Sequence, residues 1–166
     1  GGRGKTTLAK LVYDRIFHHF EVHCFLENVR EVSNVDLQKR LLRPMLKEKI
    51  EEIWDEERGI IFTKKCLRNK KVLLVLDDVD HKNQLQVRAG KEDWFGRGSR
   101  IIITTRNERL LVEHDITLCH NVQVLDKGAA LALFSLHAFK KNLPEDGFWA
   151  LSSYFINYAG GLPLAF

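Results

Sequence analysis

Cysteine is scarce in this chain of 166 residues, and its three copies lie far apart, at Cys24, Cys66 and Cys119. An odd number of widely spaced cysteines matches neither a disulfide framework nor a zinc-ligand pattern. Each of the three has apolar neighbours in the sequence. We therefore expect reduced, buried thiols, as is typical of a cytoplasmic protein.

Long apolar runs, internal repeats and low-complexity segments are also missing. No stretch approaches the roughly 20 apolar residues that cross a membrane, so we expect no membrane partner. The first residue is not Met and no signal peptide follows it, which favours an excerpt of a longer protein. With 45% hydrophobic and 29% charged residues, the chain is typical of a globular protein with one domain or one and a part.

The net charge of +4 does not by itself indicate a nucleic-acid partner. Nucleic-acid-binding surfaces combine clustered cations with aromatic side chains for stacking. Here the basic residues come as scattered pairs without such aromatic residues between them, and we interpret them as solvated faces. These pairs are Lys64-Lys65, Lys70-Lys71 and Lys140-Lys141.

The first seven residues, G-G-R-G-K-T-T, match the second half of a phosphate-binding loop. Because glycine lacks a Cβ atom, backbone N–H groups around Gly2 and Gly4 can curl around a polyphosphate, and the next helix offers its positive end. Lys5 would reach the outer phosphates, Thr6 would bind Mg²⁺ through its hydroxyl, and Thr7 would contact the inner phosphate. The first glycine of the full G-x-x-x-x-G-K-[ST] pattern would precede the first residue. A floppy terminus followed by an ordinary helix cap is the alternative.

A continuously apolar run, residues 72–76, ends in two acidic residues, Asp77 and Asp78. Such a run predicts a parallel strand covered on both faces, and ligands bind at the carboxyl ends of such strands. Asp77 could bind Mg²⁺ beside Thr6, and Asp78 could orient or deprotonate an attacking water. A turn with helix-capping acids is the alternative, but the preceding G-K-T-T favours the metal site.

Residues 100–105 predict a second buried strand, followed directly by Arg106. Arg106 would then lie on the ligand side of the sheet, where its guanidinium can contact a γ-phosphate. A structural salt bridge is the alternative for this residue.

Hydrophobic periodicity predicts an α/β fold with a parallel sheet up to about residue 125, and a helical region from residue 126. One face of the first helix should pack on the sheet, and Pro44 should kink or break the second helix. The predicted strands are 22–26, 72–76, 100–105 and 122–125; the predicted helices are 6–18, 35–54, 57–69, 108–114, 127–139 and 148–158, with a helix and loop in 84–95.

These motifs and their order resemble the NB-ARC nucleotide-binding domain of plant intracellular immune receptors, the nucleotide-binding leucine-rich-repeat proteins. The resemblance spans the whole chain. Two features, F-L-E-N-V-R-E and Asp80, resemble the subclass with an N-terminal TIR domain. The matching segments are G-G-R-G-K-T-T (1–7), F-L-E-N-V-R-E (25–31), K-V-L-L-V-L-D-D-V-D (71–80), G-S-R-I-I-I-T-T-R (98–106), A-L-A-L-F-S-L-H-A-F (130–139) and G-L-P-L-A (161–165).

The resemblance implies a P-loop NTPase fold whose first strand is missing, here in residues 1–125, followed by the start of a helical subdomain in residues 126–166. It implies a switch that binds ADP or ATP with Mg²⁺, hydrolyses ATP slowly and acts in defence signalling. The implied partners are the TIR domain, the leucine-rich repeats and further copies of the receptor, in the cytoplasm or in both nucleus and cytoplasm. No membrane or nucleic-acid partner is implied.

Site roles follow from the same resemblance. Phosphates would be bound by the loop from Gly2 to Thr7, Mg²⁺ by Thr6 and Asp77, and the γ-phosphate by Arg106. Asp78 would be the catalytic acid, and Pro163 would contact the base and sugar. The chain departs from the family at Arg3, where Val is usual, which adds a bulky cation to the nucleotide-binding loop.

Two other functions are compatible with the same residues. A nucleotide-binding interaction module would bind without hydrolysis. A metabolic P-loop kinase would need an acceptor pocket and a lid with several arginines, and the sequence predicts neither.

Overall fold

The computed structural model describes residues 2–89 and 94–165, which form two compact units. One unit runs from Thr6 to Leu118. The other combines the described residues up to Lys5 with those from Cys119 on. No helix in the described part of the chain is both long and apolar enough to cross a membrane.

A three-stranded parallel sheet forms the centre of the unit Thr6–Leu118. Its strands are β1 (Val22–Leu26), β2 (Val72–Val79) and β3 (Arg100–Thr105), in the order β1-β2-β3. Residues 72–76 of the central strand have no exposed surface, as a continuously apolar parallel strand requires. The predicted α/β class with a parallel sheet is therefore confirmed.

Helices flank this sheet and complete its core. The buried cluster combines β2 with leucines from the helix Asn34–Leu46 and with Leu67 from the helix Glu56–Leu67. Side-chain caps fix two helix starts: Ser33 Oγ accepts from the Asp36 N–H at 3.1 Å, and Asp55 Oδ1 accepts from the Arg58 N–H at 2.8 Å. The helices are α1 (Lys5–Ile16), α2 (Asn34–Leu46), α3 (Glu56–Leu67), α4 (Lys82–Ala89) and α5 (Glu108–Val112).

Two helix predictions need correction. The predicted 35–54 helix ends as an α-helix at Leu46, two residues after Pro44, and a 3₁₀ segment (Lys47–Glu52) follows, because proline removes a backbone donor from the last turns. The first helix buries only Ala9, and Leu11 is 63% exposed, because the three described strands do not cover its apolar stripe. Of the helix and loop predicted in 84–95, residues 90–93 lie outside the described residues.

Two helices, α6 (Lys127–Phe139) and α7 (Trp149–Ala159), dominate the other unit. Asp126 caps α6 by accepting from the Ala129 N–H at 2.8 Å, and α7 ends at Gly160, whose φ is +60°. Small buried side chains let the two helices pack closely: Ala130, Ser135, Ser152 and Ala159.

The predicted strand at 122–125 does not form. A strand needs a neighbouring strand to share its hydrogen bonds. Here one backbone hydrogen bond ties the segment to the helical region instead, from the Leu125 N–H to the Gly161 carbonyl at 2.8 Å.

Candidate functional site

Asp77 lies at the centre of a polar cluster at the carboxyl end of β2. Asp77 is only 2% exposed, and its carboxylate accepts hydrogen bonds from two hydroxyl groups. Thr6 Oγ1 lies 2.9 Å from Oδ1 and 3.1 Å from Oδ2, and Thr104 Oγ1 lies 2.6 Å from Oδ1. The structure thus brings together two residues that are 71 positions apart and that the sequence assigned to one metal site.

A β-bulge lies at Asp77 and Asp78, and the two neighbouring carboxylates have different partners. Leu76 pairs with Ile103 and Val79 pairs with Thr105, so β2 carries one extra residue between these pairs. Asp78 occupies this bulge with φ of +59°, a left-handed conformation that aspartate tolerates better than most residues. Its backbone N–H donates to Thr104 Oγ1 at 2.9 Å. The bulge also lets β2 continue to Val79, beyond the predicted end at residue 76.

The Asp78 carboxylate is held by two arginines, one on each oxygen. Arg106 Nε lies 3.2 Å from Oδ1, and Arg30 Nε lies 3.1 Å from Oδ2. Arg106 directly follows β3, as predicted, and Arg30 lies in a 3₁₀ turn (Val29–Glu31) shortly after β1. In this structure, Arg106 makes the ion pair that was the alternative to a phosphate contact.

No site role was predicted for Thr104 or Arg30. Thr104 is the penultimate residue of β3, and Arg30 follows the end of β1 by four residues. The carboxyl ends of neighbouring parallel strands meet at one edge of the sheet. This position was the signal that could have identified them.

Thr6 and Asp77 fit the requirements of Mg²⁺. This ion binds one or two protein oxygens and completes its shell with water and phosphate oxygens. A hydroxyl and a buried carboxylate supply such a donor set. In the described ranges, no group of three or more His, Cys, Asp or Glu side chains is arranged to hold a metal ion.

The glycines of the loop lie in the other unit, against the segment after α7. Gly2 and Gly4 have φ of +84° and +81°, conformations that glycine adopts without strain. The Gly2 carbonyl accepts from the Leu164 N–H at 3.4 Å. A Cβ atom at Gly4 would lie 3.8 Å from Pro163 Cγ, so the structure places the predicted base-contacting proline beside the loop.

Arg3 points its guanidinium at the segment before α6. Its Nη1 lies 3.4 Å from both Asn121 Oδ1 and the Val122 carbonyl. These are long, exposed hydrogen bonds, so they hold the side chain only weakly. Lys5 and Thr7 lie in the first turn of α1, Lys5 as its first residue.

Glycines with positive φ, a helix that begins at the lysine, and an acidic strand end bonded to the following threonine define a P-loop NTPase-like α/β protein. The NB-ARC domain family matches residues 1–144 of the chain. The chain belongs to this family, and the resemblance found in the sequence is confirmed.

Named relatives agree with this assignment. The chain is 41% identical over 170 residues to the disease resistance protein RPV1 of Vitis rotundifolia, covering 99% of this chain and 12% of that protein. It is 42% identical over 174 residues to the TMV resistance protein N of Nicotiana glutinosa, covering 99% and 15%. The disease resistance protein RPP5 of Arabidopsis thaliana is 36% identical over 169 residues, covering 98% and 11%. The chain thus spans less than a sixth of the length of these relatives.

Proposed function

We propose that this chain is the nucleotide-binding switch of a plant immune receptor of the TIR subclass, which binds ADP or ATP with Mg²⁺. The observation that carries the proposal is the contact of Thr6 with Asp77, because it joins the end of the phosphate-loop motif to the acidic end of β2. The relatives that are named for disease resistance support the biological role.

The roles of the loop residues follow from their positions. Backbone N–H groups from Gly2 to Gly4, with the N–H groups of the first turn of α1, would bind the phosphates. Lys5 and Thr7 would add side-chain contacts, and Arg3 a further cation. The Thr6 hydroxyl and the Asp77 carboxylate would hold Mg²⁺, which supplies charge stabilisation to the phosphates when bound.

The switch itself needs a difference in affinity between two states of the protein. Arg106 would contact the γ-phosphate, which only ATP has, while Pro163 would contact the base and sugar of either nucleotide. Loss of the γ-phosphate would therefore change one contact and keep the other. We place the nucleotide-binding part in residues 1–125 and the start of the helical subdomain in residues 126–166. In the whole receptor, we expect a TIR domain, leucine-rich repeats and self-association on activation, in the cytoplasm.

Replacement of Lys5 tests nucleotide binding directly. Lys5→Ala should weaken the binding of Mg²⁺-ADP and Mg²⁺-ATP at least about tenfold, because a hydrogen bond to a charged group contributes about 1.5–3 kcal/mol. Isothermal titration calorimetry of the chain measures this affinity. Lys10→Ala is the matched control on the same helix: Lys10 pairs with Glu27 at 2.8 Å and has no assigned role in binding. Equal affinity of wild type and Lys5→Ala would refute the proposal.

A binding module without hydrolysis is the second candidate, and the environment of Asp78 favours it. Each carboxylate oxygen already pairs with a guanidinium group, which leaves fewer lone pairs of Asp78 to accept a proton from water. Phosphate release under steady-state conditions separates the two candidates. We expect hydrolysis far slower than the roughly 10 s⁻¹ typical of enzymes, and no release at all above that of Asp78→Asn would favour the module.

A further inference from the structure

Asp78 is shared by two cations that come from opposite sides of the central strand. Arg30 follows β1 and Arg106 follows β3, and each takes a different carboxylate oxygen. The Asp78 side chain is 18% exposed, so it is largely withdrawn from water. A carboxylate in such surroundings is costly to leave without a cation.

The two arginines are not equally restrained. Arg106 is 55% exposed, and the only ion pair of its guanidinium within the described ranges is the one with Asp78. Arg30 is 37% exposed and has a second partner, with Nη2 3.4 Å from Glu31 Oε1. The neighbouring Val29 is completely buried and anchors the turn that carries Arg30. Arg106 is therefore the arginine that can leave Asp78 at the smaller cost.

We propose that Arg30 is a positioning residue that holds Asp78 while Arg106 turns to the terminal phosphate of a nucleoside triphosphate, and that it thereby sets the preference for triphosphate over diphosphate. This inference rests on the proposed function. The residue acts through Asp78 and Arg106 and needs no contact with the nucleotide.

The charges explain the expected direction. With both arginines present, the departure of Arg106 leaves Asp78 paired with Arg30. Without Arg30, the same movement leaves a largely buried carboxylate unpaired, and its negative charge also repels the incoming phosphate. A diphosphate does not require Arg106 to move, so its affinity should depend little on Arg30.

The decisive experiment compares two affinities in Arg30→Gln. Calorimetry with Mg²⁺ measures the dissociation constants of ADP and of the slowly hydrolysed analogue ATPγS. We expect the affinity for ATPγS to fall about tenfold, close to the lower end of the coupling measured for close charge pairs, and the affinity for ADP to change less than about twofold. If Arg30 had a merely structural role, Arg30→Gln would weaken the binding of both nucleotides equally, and that result would overturn the inference.

Three further variants make the comparison specific. Glu31→Gln removes the other ion pair of Arg30 and should leave the ratio of the two affinities unchanged. Arg30→Lys keeps the positive charge and should lose less of the preference than Arg30→Gln. In an Asp78→Asn background, Arg30→Gln should no longer alter the ratio, because the carboxylate that it holds is gone.

The binding measurements distinguish a failure of this inference from a failure of the proposed function. If the wild-type chain binds neither nucleotide, the proposed function is wrong and the inference falls with it. If the wild type binds both nucleotides and Arg30→Gln keeps the wild-type ratio, only the inference is wrong. Persistence of the Arg30→Gln effect in the Asp78→Asn background would also overturn it.

Discussion

Thr104 is the residue that joins the two acids to the neighbouring strand. Its hydroxyl donates to Asp77 Oδ1 at 2.6 Å and accepts from the Asp78 N–H at 2.9 Å, so one buried oxygen serves both residues. A hydroxyl has one proton to donate and lone pairs to accept, which matches both contacts. Thr104 therefore fixes the Asp77 carboxylate and the bulge together.

Thr104→Val should reveal this double role. Valine keeps the shape and the β-branch but leaves a buried N–H and a carboxylate oxygen without this partner, so we expect a loss of about 2–3 kcal/mol in the free energy of unfolding. Urea denaturation measures the loss. Thr104→Ser keeps the hydroxyl and removes one methyl, which costs about 1 kcal/mol. Equal stability of the two variants would show that the hydroxyl bonds contribute nothing.

For single residues, the sequence predicts which residues belong to the site better than it predicts which residues they contact. Thr6, Asp77 and Arg106 stand out because each follows a recognisable loop or strand. Arg30 and Thr104 do not, because their contacts with Asp78 depend on which strands are neighbours and on a bulge of one residue. Single-residue shifts of register are not encoded in a run of apolar letters.

Among the structural elements, the turn after α7 depends on glycine for two different reasons. Gly160 has φ of +60°, but a Cβ atom there would meet nothing within 4 Å. Gly161 has φ of +74°, and a Cβ atom there would collide with the Leu125 carbonyl oxygen and lie 3.3 Å from Val124 Cβ. The first position requires only a left-handed backbone, and the second also requires space.

Replacement of each glycine by alanine distinguishes the need for a left-handed backbone from the need for space. Gly160→Ala should cost about 1 kcal/mol, the penalty for a left-handed residue with a Cβ atom. Gly161→Ala should cost about 2 kcal/mol more. In this variant the backbone of residues 124–125 would have to move, which would strain the hydrogen bond between Leu125 and Gly161. Chemical denaturation of both variants provides the test. A similar loss in both would mean that Leu125 yields at little cost.

Helix boundaries that a local signal marks lie close to the predicted ones at α3 and α6, where Asp55 and Asp126 cap the helix through neighbouring residues alone. The end of α2 was predicted less well, because the 35–54 helix was extended past Pro44 while the α-helix ends two residues after it. The apolar face of α1 and the segment 122–125 were predicted wrongly because burial and strand pairing depend on distant residues. The hydrophobic pattern shows which face could be covered, but not whether a neighbouring element covers it.

For the molecule as a whole, the sequence predicts the class but not the grouping of the chain into units. The order of motifs was sufficient for the α/β class and for the NB-ARC family. The compact units divide between Leu118 and Cys119, and the residues up to Lys5 group with the later segment. That grouping depends on contacts such as the hydrogen bond from the Leu164 N–H to Gly2, which join the two ends of the sequence. The functional boundary at 125/126 remains a prediction.

The stability of the whole chain should fall in alkaline solution because of one thiol in the sheet. Burial raises the pKa of Cys24 from about 9 to about 11 and outweighs the opposing charge of Arg40. As the pH rises above about 9, the unfolded chain therefore loses this proton before the folded chain does. The contribution of Cys24 is complete below pH 9 and is lost as the pH approaches 11.

Cys24→Ala isolates this effect from the other groups that titrate in the same range. Subtracting its free energy of unfolding from that of the wild type, at each pH from 8 to 11, removes the contributions that both proteins share. Cys66 is among these, since burial raises its pKa as well. Tyr13 is shared only in part, because burial and also Cys24 raise its pKa. The difference should shrink by about 1–2 kcal/mol between pH 9 and pH 11. A difference that is independent of pH would mean that the Cys24 thiol ionises as readily in the folded chain as in the unfolded one, and therefore that the sheet does not shield it from water.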